Sequence, residues 1–287
     1  MNNITIFTDS CSSLTKDIIE KYDIRIIPIY FSIGDAEYNP LEEKIATEDF
    51  YNTLEGGVVA RTSCINPSVF YELFEKELLA GNQVLYLAMS SGLSATYSNA
   101  LSAQKELAEK YPDKIEIIDT LKGGMGMAFD VVQVAELREK GLSLKQIKGA
   151  VDKNSANIEC LFTPGSISYL KRSGRINPPV ALLAKVMKIN PLIIADENGK
   201  LSIKSLCVGR KKTLMTLINR VVSLIHEKLR KIYLCYTNNR SEADFVCEKL
   251  KEALPDSDIK LSSIDCSLGC HCGPQALAVF YQRKAGV

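Results

Sequence analysis

The chain has almost no net charge: 35 lysines and arginines face 34 aspartates and glutamates, a formal balance of +1. No global field therefore draws the molecule onto nucleic acid or an anionic membrane, and any basic site has to be local. Long hydrophobic runs are missing too. The longest apolar stretches, such as 24–33 and 191–195, are too short and interrupted for a bilayer crossing, which takes about 20 apolar residues. The opening MNNITIFTDS has no basic stretch leading into an apolar core, so a cytoplasmic protein without a secretory signal is expected. Nine cysteines, an odd number without the spacing of a disulfide framework, exclude the small secreted scaffolds. Most read as small buried apolar residues. Nucleotide signatures are absent: no Walker A or Gly-x-Gly-x-x-Gly segment follows a strand pattern, and Gly123-Gly124-Met125-Gly126 has the wrong spacing.

What is present is an ordinary globular composition. The 287 residues are 46% hydrophobic and 24% charged, with 17 Gly and 10 Pro, which excludes collagen-like, low-complexity and disordered chains. That length suffices for one large domain or two modest ones without disulfide or metal staples. Short apolar strands alternate with amphipathic helices through the first half, the pattern of βαβ units around a mainly parallel sheet. Strands are predicted at 4–8, 24–33, 83–89 and 114–119, and helices at 14–22, 67–79 and 123–140, with a long helix from the Ser90-Ser91-Gly92 turn through Lys110. Asn66-Pro67 supplies an N-cap followed by proline at the first helical position.

Beyond about residue 155 the order changes. Helical stretches at 166–170 and 179–187 precede strand-like runs at 191–196 and 201–208, joined at Asn198-Gly199, a strong hairpin signal. A helix at 213–229, a strand at 232–236, a helix at 241–253 capped by Ser241, and strands at 259–264 and 276–281 follow. The predicted fold class is α/β with two domains. An N-terminal three-layer domain with a mainly parallel sheet covers 1–155, and a C-terminal α/β domain with antiparallel pairing covers 156–287.

Four segments concentrate small hydroxyl residues and glycine where loops meet helices or strands: Thr8-Asp9-Ser10, Arg61-Thr62-Ser63, Ser90-Ser91-Gly92-Leu93-Ser94 and Gly269-Cys270-His271-Cys272-Gly273-Pro274. Singly, each is accounted for by capping or turn chemistry. Together they offer neutral hydrogen-bond donors, one imidazole and helix N-termini, which suits a singly charged anion such as a carboxylate. His271 is one of only two histidines and is predicted to lie in a loop, whereas His226 falls on the 213–229 helix as a solvated or packed residue. Lys171, Arg172 and Arg175 near Gly174, and Arg210-Lys211-Lys212 after Gly209, form two basic clusters. Such runs usually mark solvated surface, but short basic loops also receive phosphate or an acidic partner. Neither cluster has the aromatic interleaving of a nucleic-acid platform.

Two other chemistries compete at the same residues. Ser91 and His271 would serve as nucleophile and base of a lipid or acyl-ester hydrolase, although Gly-x-Ser-x-Gly is absent and no acidic residue can be assigned to orient the imidazole. Cys266, Cys270, His271 and Cys272 would be the ligands of a zinc site, but adjacent Cys-His-Cys residues rarely aim at one tetrahedral centre. Neither set is assigned that role here: no catalytic residue, no metal and no cofactor is expected.

The order of these motifs across the chain resembles the DegV family of bacterial fatty-acid-binding proteins. It comprises Thr8-Asp9-Ser10, Thr62-Ser63 with Phe70, Ser90 to Ser94 with Thr96-Tyr97, Asp119-Thr120, Leu170-Lys171 with Gly174-Arg175-Ile176, and His271 with Gly273-Pro274. The resemblance implies a long-chain fatty acid in an internal apolar tunnel, its carboxylate presented to a separate fatty acid kinase for acyl phosphate formation and phospholipid synthesis. It implies a non-catalytic cytoplasmic carrier with transient membrane contact and no nucleic-acid partner. Carried over by position, Thr62, Ser63, Ser91 and His271 would bind the carboxylate, while Ser94, Arg175 and Arg210 would lie near the head group or face the kinase. The chain departs from the family pattern at Cys64-Ile65-Asn66, Ala95, Cys270, Cys272 and Gln275, which bears on acyl preference and partner docking. Burying ~15 methylenes at ~0.8 kcal/mol each gives a gross gain on the order of 12 kcal/mol, so the tail would supply affinity. A buried carboxylate costs several kcal/mol unless hydrogen-bonded, so the polar loops would supply selectivity.

Overall fold

A computed structural model describes residues 3–42, 44–176, 189–228 and 230–284. Strand β1 (Ile4–Asp9) is buried along its whole length, as a strand covered on both faces must be. It lies between β2 (Ile24–Ile27) and β6 (Gln83–Ala88), and β7 (Ile115–Asp119) completes a four-stranded sheet of order β2-β1-β6-β7 in which every pairing is parallel. The expected strand over 24–33 is interrupted. Pro28, which has no N–H to give a ladder, separates β2 from β3 (Phe31–Ile33), and β3 joins β4 (Ala36–Tyr38) and β5 (Ala60–Thr62) in a small antiparallel sheet that the sequence pattern did not announce.

The second large sheet is mixed, in the order β10-β9-β8-β13-β11-β12. It comprises β8 (Ile158–Thr163), β9 (Ile189–Ala195), β10 (Leu201–Val208), β11 (Lys231–Tyr236), β12 (Asp258–Ser263) and β13 (Leu277–Gln282). The β9–β10 pair is the antiparallel hairpin expected from Asn198-Gly199, and β11–β12 pair in parallel. The expected boundary at 155 falls at the end of a helix that directly precedes β8.

Helices fill the layers: α1 (Lys16–Tyr22), α2 (Thr47–Glu55), α3 (Pro67–Leu79), α4 (Thr96–Ala108), α5 (Gly126–Glu139), α6 (Leu144–Ser155), α7 (Ser168–Arg172), α8 (Arg210–Leu224), α9 (Arg240–Ala253) and α10 (Cys266–Cys272). Helices α3 and α4 cover one face of the parallel sheet through Phe70, Phe74 and Ala103. Helices α8 and α9 cover the far face of the mixed sheet through Leu217, Val221 and Val246. Between the two sheets lies α5, whose Val131, Val134 and Ala135 share one apolar core with Leu85 and Leu87 of one sheet and Phe162 and Phe280 of the other. Approach is close enough that a Cβ on Gly126 would come within 2.6 Å of the Phe280 ring. A buried ion pair ties the turn after β7 to α5: Lys122 Nζ donates to Asp130 Oδ2 at 3.0 Å and to the Thr120 carbonyl at 2.9 Å.

Several expected boundaries shift for identifiable reasons. The helix expected over 213–229 begins at Arg210 and ends at Leu224. His226 lies beyond it, because its backbone N–H goes to the Gln282 carbonyl at 2.8 Å rather than to the preceding turn. The N-cap of α9 is Asn239, not Ser241. The segment around His271, expected as a loop, is the last turn of α10, which Gly273 ends at φ 71°. Helices α2 and α6 were not anticipated. The helix expected at 179–187 and the end of the one expected at 213–229 lie outside the described residues.

The tip of the β9–β10 hairpin is seated on the loop after β6. Ser90 Oγ donates to the Gly199 carbonyl at 2.8 Å and accepts from Gly92 N–H at 3.1 Å. Gly199 has φ 67°, and a Cβ there would meet Ser90 Oγ at 2.0 Å. Gly199→Ala is therefore expected to lower stability by about 1–3 kcal/mol through overpacking and a left-handed backbone. Gly149→Ala, on the exposed face of α6 with nothing near the added carbon, should raise it by up to about 1 kcal/mol. Urea unfolding of the two variants measures both changes.

Candidate functional site

The parallel sheet ends at Asp9, Ala88 and Asp119, and the chain leaves all three strands through polar loops at that one edge, where open α/β sheets place ligands. Thr8-Asp9-Ser10 ties this edge together. Thr8 Oγ1 donates to the Leu87 carbonyl at 2.8 Å, Ser10 Oγ accepts from Ile29 N–H at 3.0 Å, and Asp9 Oδ2 accepts from Tyr86 Oη at 3.0 Å and Met89 N–H at 2.8 Å. Asp9 is fully enclosed. Burial pushes its carboxyl up to about 7 against the pull of those two donors. Asp119 Oδ1 accepts from Ser91 N–H at 3.1 Å and Leu121 N–H at 3.0 Å, holding the next loop.

Beside this edge, α10 and β5 enclose a cavity of about 250 Å³. Its floor is buried and apolar apart from Ser267, with Cys11, Ile29, Met89, Leu170 and Cys272. Half-buried Leu93, Leu201 and Leu268 form its sides. At its mouth lie Thr62, exposed Ser63 and Cys64, Ser94, Arg175 and His271. A larger hollow of about 660 Å³, lined by residues including Ser13, Lys16, Asn39 and Asp265, contains none of the predicted head-group residues.

Two polar groups meet at the mouth: Thr62 Oγ1 and His271 Nε2 are 2.8 Å apart. Burial, with the Arg175 cation second, pushes the His271 imidazole down to about 4, so the ring is neutral at physiological pH. Its Nδ1 is buried and has no partner among the described residues. With the ring proton on Nε2, His271 donates to Thr62 and leaves the threonine proton free for a ligand oxygen. Arg175 reaches the same cavity from the end of α7, its Nε donating to the Leu93 carbonyl at 3.2 Å and its Nη1 to the Ser173 carbonyl. A carboxylate placed here would meet hydroxyl donors and one guanidinium, the set that offsets desolvation of a single negative charge.

Of the predicted residues, the structure brings Thr62, Ser63, Ser94, Arg175 and His271 to one cavity. Ser94 Oγ lies 2.9 Å from Thr96 Oγ1 at the start of α4. Ser91 is exposed and outside the lining. Arg210 is held elsewhere, by Glu242 at 2.7 Å, by Thr163 Oγ1 at 3.1 Å and by the Pro164 and Gln275 carbonyls. Sequence reasoning missed Cys11, Ile29, Ser267 and Leu268 in the lining. Only the proximity of Leu268 to the Cys-His-Cys run hinted at any of them. Among the described residues, no group of three or more His, Cys, Asp or Glu side chains converges to hold a metal ion, and no helix is long and apolar enough to cross a membrane.

Two stacked sheets, one parallel and one mixed, with a part-polar, part-apolar cavity at the strand ends define an α/β protein of a recognisable kind. The model of the DegV family, described as uncharacterised proteins, matches residues 3–284. The chain belongs to the DegV family. It is 32% identical over 284 residues to a DegV domain-containing protein of Clostridium perfringens, covering 98% of each chain. Among solved structures it is similar to a stearic acid-binding protein of Eubacterium ventriosum, with TM-score 0.86, 23% identity and 99% of both chains covered. It is also similar to a fatty-acid-binding DegV family protein of Thermus thermophilus, with TM-score 0.85, 23% identity and 98% and 100% of the two chains covered.

The His271 environment has a measurable signature. The folded ring resists protonation down to about pH 4, whereas an unfolded histidine takes up its proton near pH 6.5. Stability is therefore lost as pH falls from about 6.5 towards 4, by about 3 kcal/mol from this group. Asp9 and Asp265, raised to about 7 and about 6, act in the opposite sense: they favour the folded state at low pH, and that contribution is lost as pH rises through those values. Because both acids are present in His271→Gln as well, the difference between wild type and variant isolates the histidine. In urea unfolding, wild type should lose ground to the variant between neutral pH and about pH 4.5.

Proposed function

We propose that the protein is a carrier that holds one long-chain fatty acid, with the tail in the apolar cavity and the carboxylate at the mouth among Thr62, Ser63, His271 and Arg175. The observation that carries this reading is the polarity gradient within a single cavity: the Thr62, Ser63 and Ser94 hydroxyls, the His271 imidazole and the Arg175 guanidinium on one side, and on the other buried Cys11, Ile29, Met89, Leu170 and Cys272, with the one buried hydroxyl there, Ser267, committed to the Ile29 carbonyl. An amphiphile with one anionic end matches that gradient, and a sugar or nucleotide does not. Ser94, also in the lining, supports the head-group side. Ser91 would act through its loop, not by direct contact. The 250 Å³ enclosed here is below the ~300 Å³ at which ordinary ligand pockets begin, so a long tail enters by displacing the half-buried leucines at 93, 201 and 268.

The hydrolase alternative fits less well. His271 Nε2 faces Thr62, among the described residues its Nδ1 has no partner, and Ser91 is absent from the lining, so the Ser91–His271 pair is not formed and no described acid orients the ring. A head group held at the surface end is instead accessible to a second protein. We read that protein as a fatty acid kinase that phosphorylates the carboxyl group, with this chain supplying no catalytic residue and working in the cytoplasm.

Organic extraction of purified protein followed by mass spectrometry should recover about one fatty acid per chain. Protein that carries no lipid and ignores added fatty acid would remove the carrier reading. Thr62→Ala and His271→Ala should each weaken fatty-acid binding by roughly 10- to 100-fold through loss of a hydrogen bond to a charged group, with the unfolding cooperativity retained. Supplied with a fatty acid kinase and ATP, loaded protein should yield acyl phosphate, and Arg175→Glu should reduce that yield more than it reduces lipid binding. Equal loss of both would assign Arg175 to the head group alone.

A further inference from the structure

Helix α10 supplies four of the residues lining the cavity, Ser267, Leu268, His271 and Cys272, yet it has only seven residues and includes Gly269. Isolated helices shorter than about 12 residues do not hold themselves together in water, so the placement of His271 has to come from outside the helix. Three contacts provide it. The Asp265 side chain accepts from the N–H groups of Ser267 and Leu268, at 2.8 and 3.2 Å through Oδ1. Tyr51 Oη donates to the Ile264 carbonyl at 2.9 Å, and a Cβ on Gly269 would come within 2.4 Å of that hydroxyl and 2.9 Å of the ring. Ser267 Oγ donates to the Ile29 carbonyl.

Asp265 stands out among these. No other described helix has an N-cap side chain that takes two backbone N–H groups. Its second oxygen accepts from Ser13 Oγ at 3.2 Å, which links the cap to the turn after β1. Its backbone carbonyl takes Gly269 N–H at 2.8 Å, and the Gly269 carbonyl takes Gly273 N–H at 2.8 Å, so the hydrogen-bond ladder runs past His271 to the end of the helix. The two amides that Asp265 holds belong to cavity-lining residues, and the imidazole follows one turn later.

We propose that Asp265 is a positioning residue for His271, anchoring the N-terminus of α10 so that the imidazole stays opposite Thr62 at the mouth of the cavity. Burial raises the Asp265 carboxyl to about 6, which leaves it ionised at neutral pH, the form in which a cap of this kind binds its donors most strongly. The placement of the ring is independent of what the cavity holds. Only the binding consequence rests on the fatty-acid reading above.

The test uses the two histidines of the chain. With His271 and His226 isotope-labelled, the ring resonances of each are recorded at neutral pH in wild type, Asp265→Asn, Asp265→Ala and Ser13→Ala, alongside fatty-acid affinity. Asparagine caps as well as aspartate, so Asp265→Asn should keep the His271 resonances and the affinity near wild type. Asp265→Ala should shift His271 while leaving His226 in place, and should weaken binding by roughly three- to thirtyfold. Ser13→Ala, which removes one donor from outside the helix, should shift His271 in the same direction by less, and it keeps the test available where the alanine cap variant does not fold. Unmoved His271 resonances in both alanine variants would overturn the proposal, as would an asparagine variant as impaired as the alanine one. If His271 shifts as stated but no form binds fatty acid, the positioning role stands and the carrier reading falls.

Discussion

The architecture depends on two sheets sharing a single helical layer. Helix α5 is apolar on the sides facing both sheets, with Val131, Val134 and Ala135 packed in the core common to the two, and Gly126 lets the Phe280 ring approach closer than any side chain would allow. Close packing to this density leaves few voids in the shared layer. Space remains where the layer ends, at the carboxyl edge of the parallel strands, and there the cavity opens beside α10. The hollow thus lies at the edge from which α5 starts, since Gly126 follows β7 while Arg138 in the last turn donates to the Ile4 and Tyr22 carbonyls at the opposite edge.

Much of this was legible in the residue pattern. The parallel strands announced themselves as short apolar runs, and Asn198-Gly199 marked the antiparallel hairpin whose register the structure shows. The interruption at Pro28 was in principle readable, since a proline in a run of ten residues demotes a central strand. Helix α10 was not readable. Gly269, Cys270 and Gly273 have the composition of a loop, and the groups that make the segment helical are Tyr51, more than two hundred residues earlier, and a carboxylate at Asp265 whose capping role depends on the turn after β1.

The site was legible by residue type but not by direction. Ser90 to Ser94 offered three hydroxyls, and sequence alone cannot say which of them turns inward. Asp119 draws the Ser91 amide towards itself, Ser90 is occupied by the hairpin tip, and Ser94 is the one that lines the cavity. The two basic clusters diverge for a similar reason. Arg175 borders the cavity, while Arg210 is taken up by Glu242, thirty-two positions along the chain and one turn into α9. Thr8-Asp9-Ser10, which reads like ligand chemistry, instead fastens strand ends to one another.

The sulfur chemistry of the chain is also unevenly distributed. Of nine free thiols, Cys64 alone is exposed, and it stands at the rim beside Thr62 and Ser63, whereas burial pushes the Cys235 and Cys266 thiols up to about 12 and raises Cys11, Cys160, Cys270 and Cys272 as well. Electrophiles dissolved in water attack the thiolate of an accessible cysteine first. The native molecule thereby comes with its own attachment point for a maleimide dye, set at the cavity rim, where fluorescence would report changes around Thr62 and Ser63 without any engineered residue.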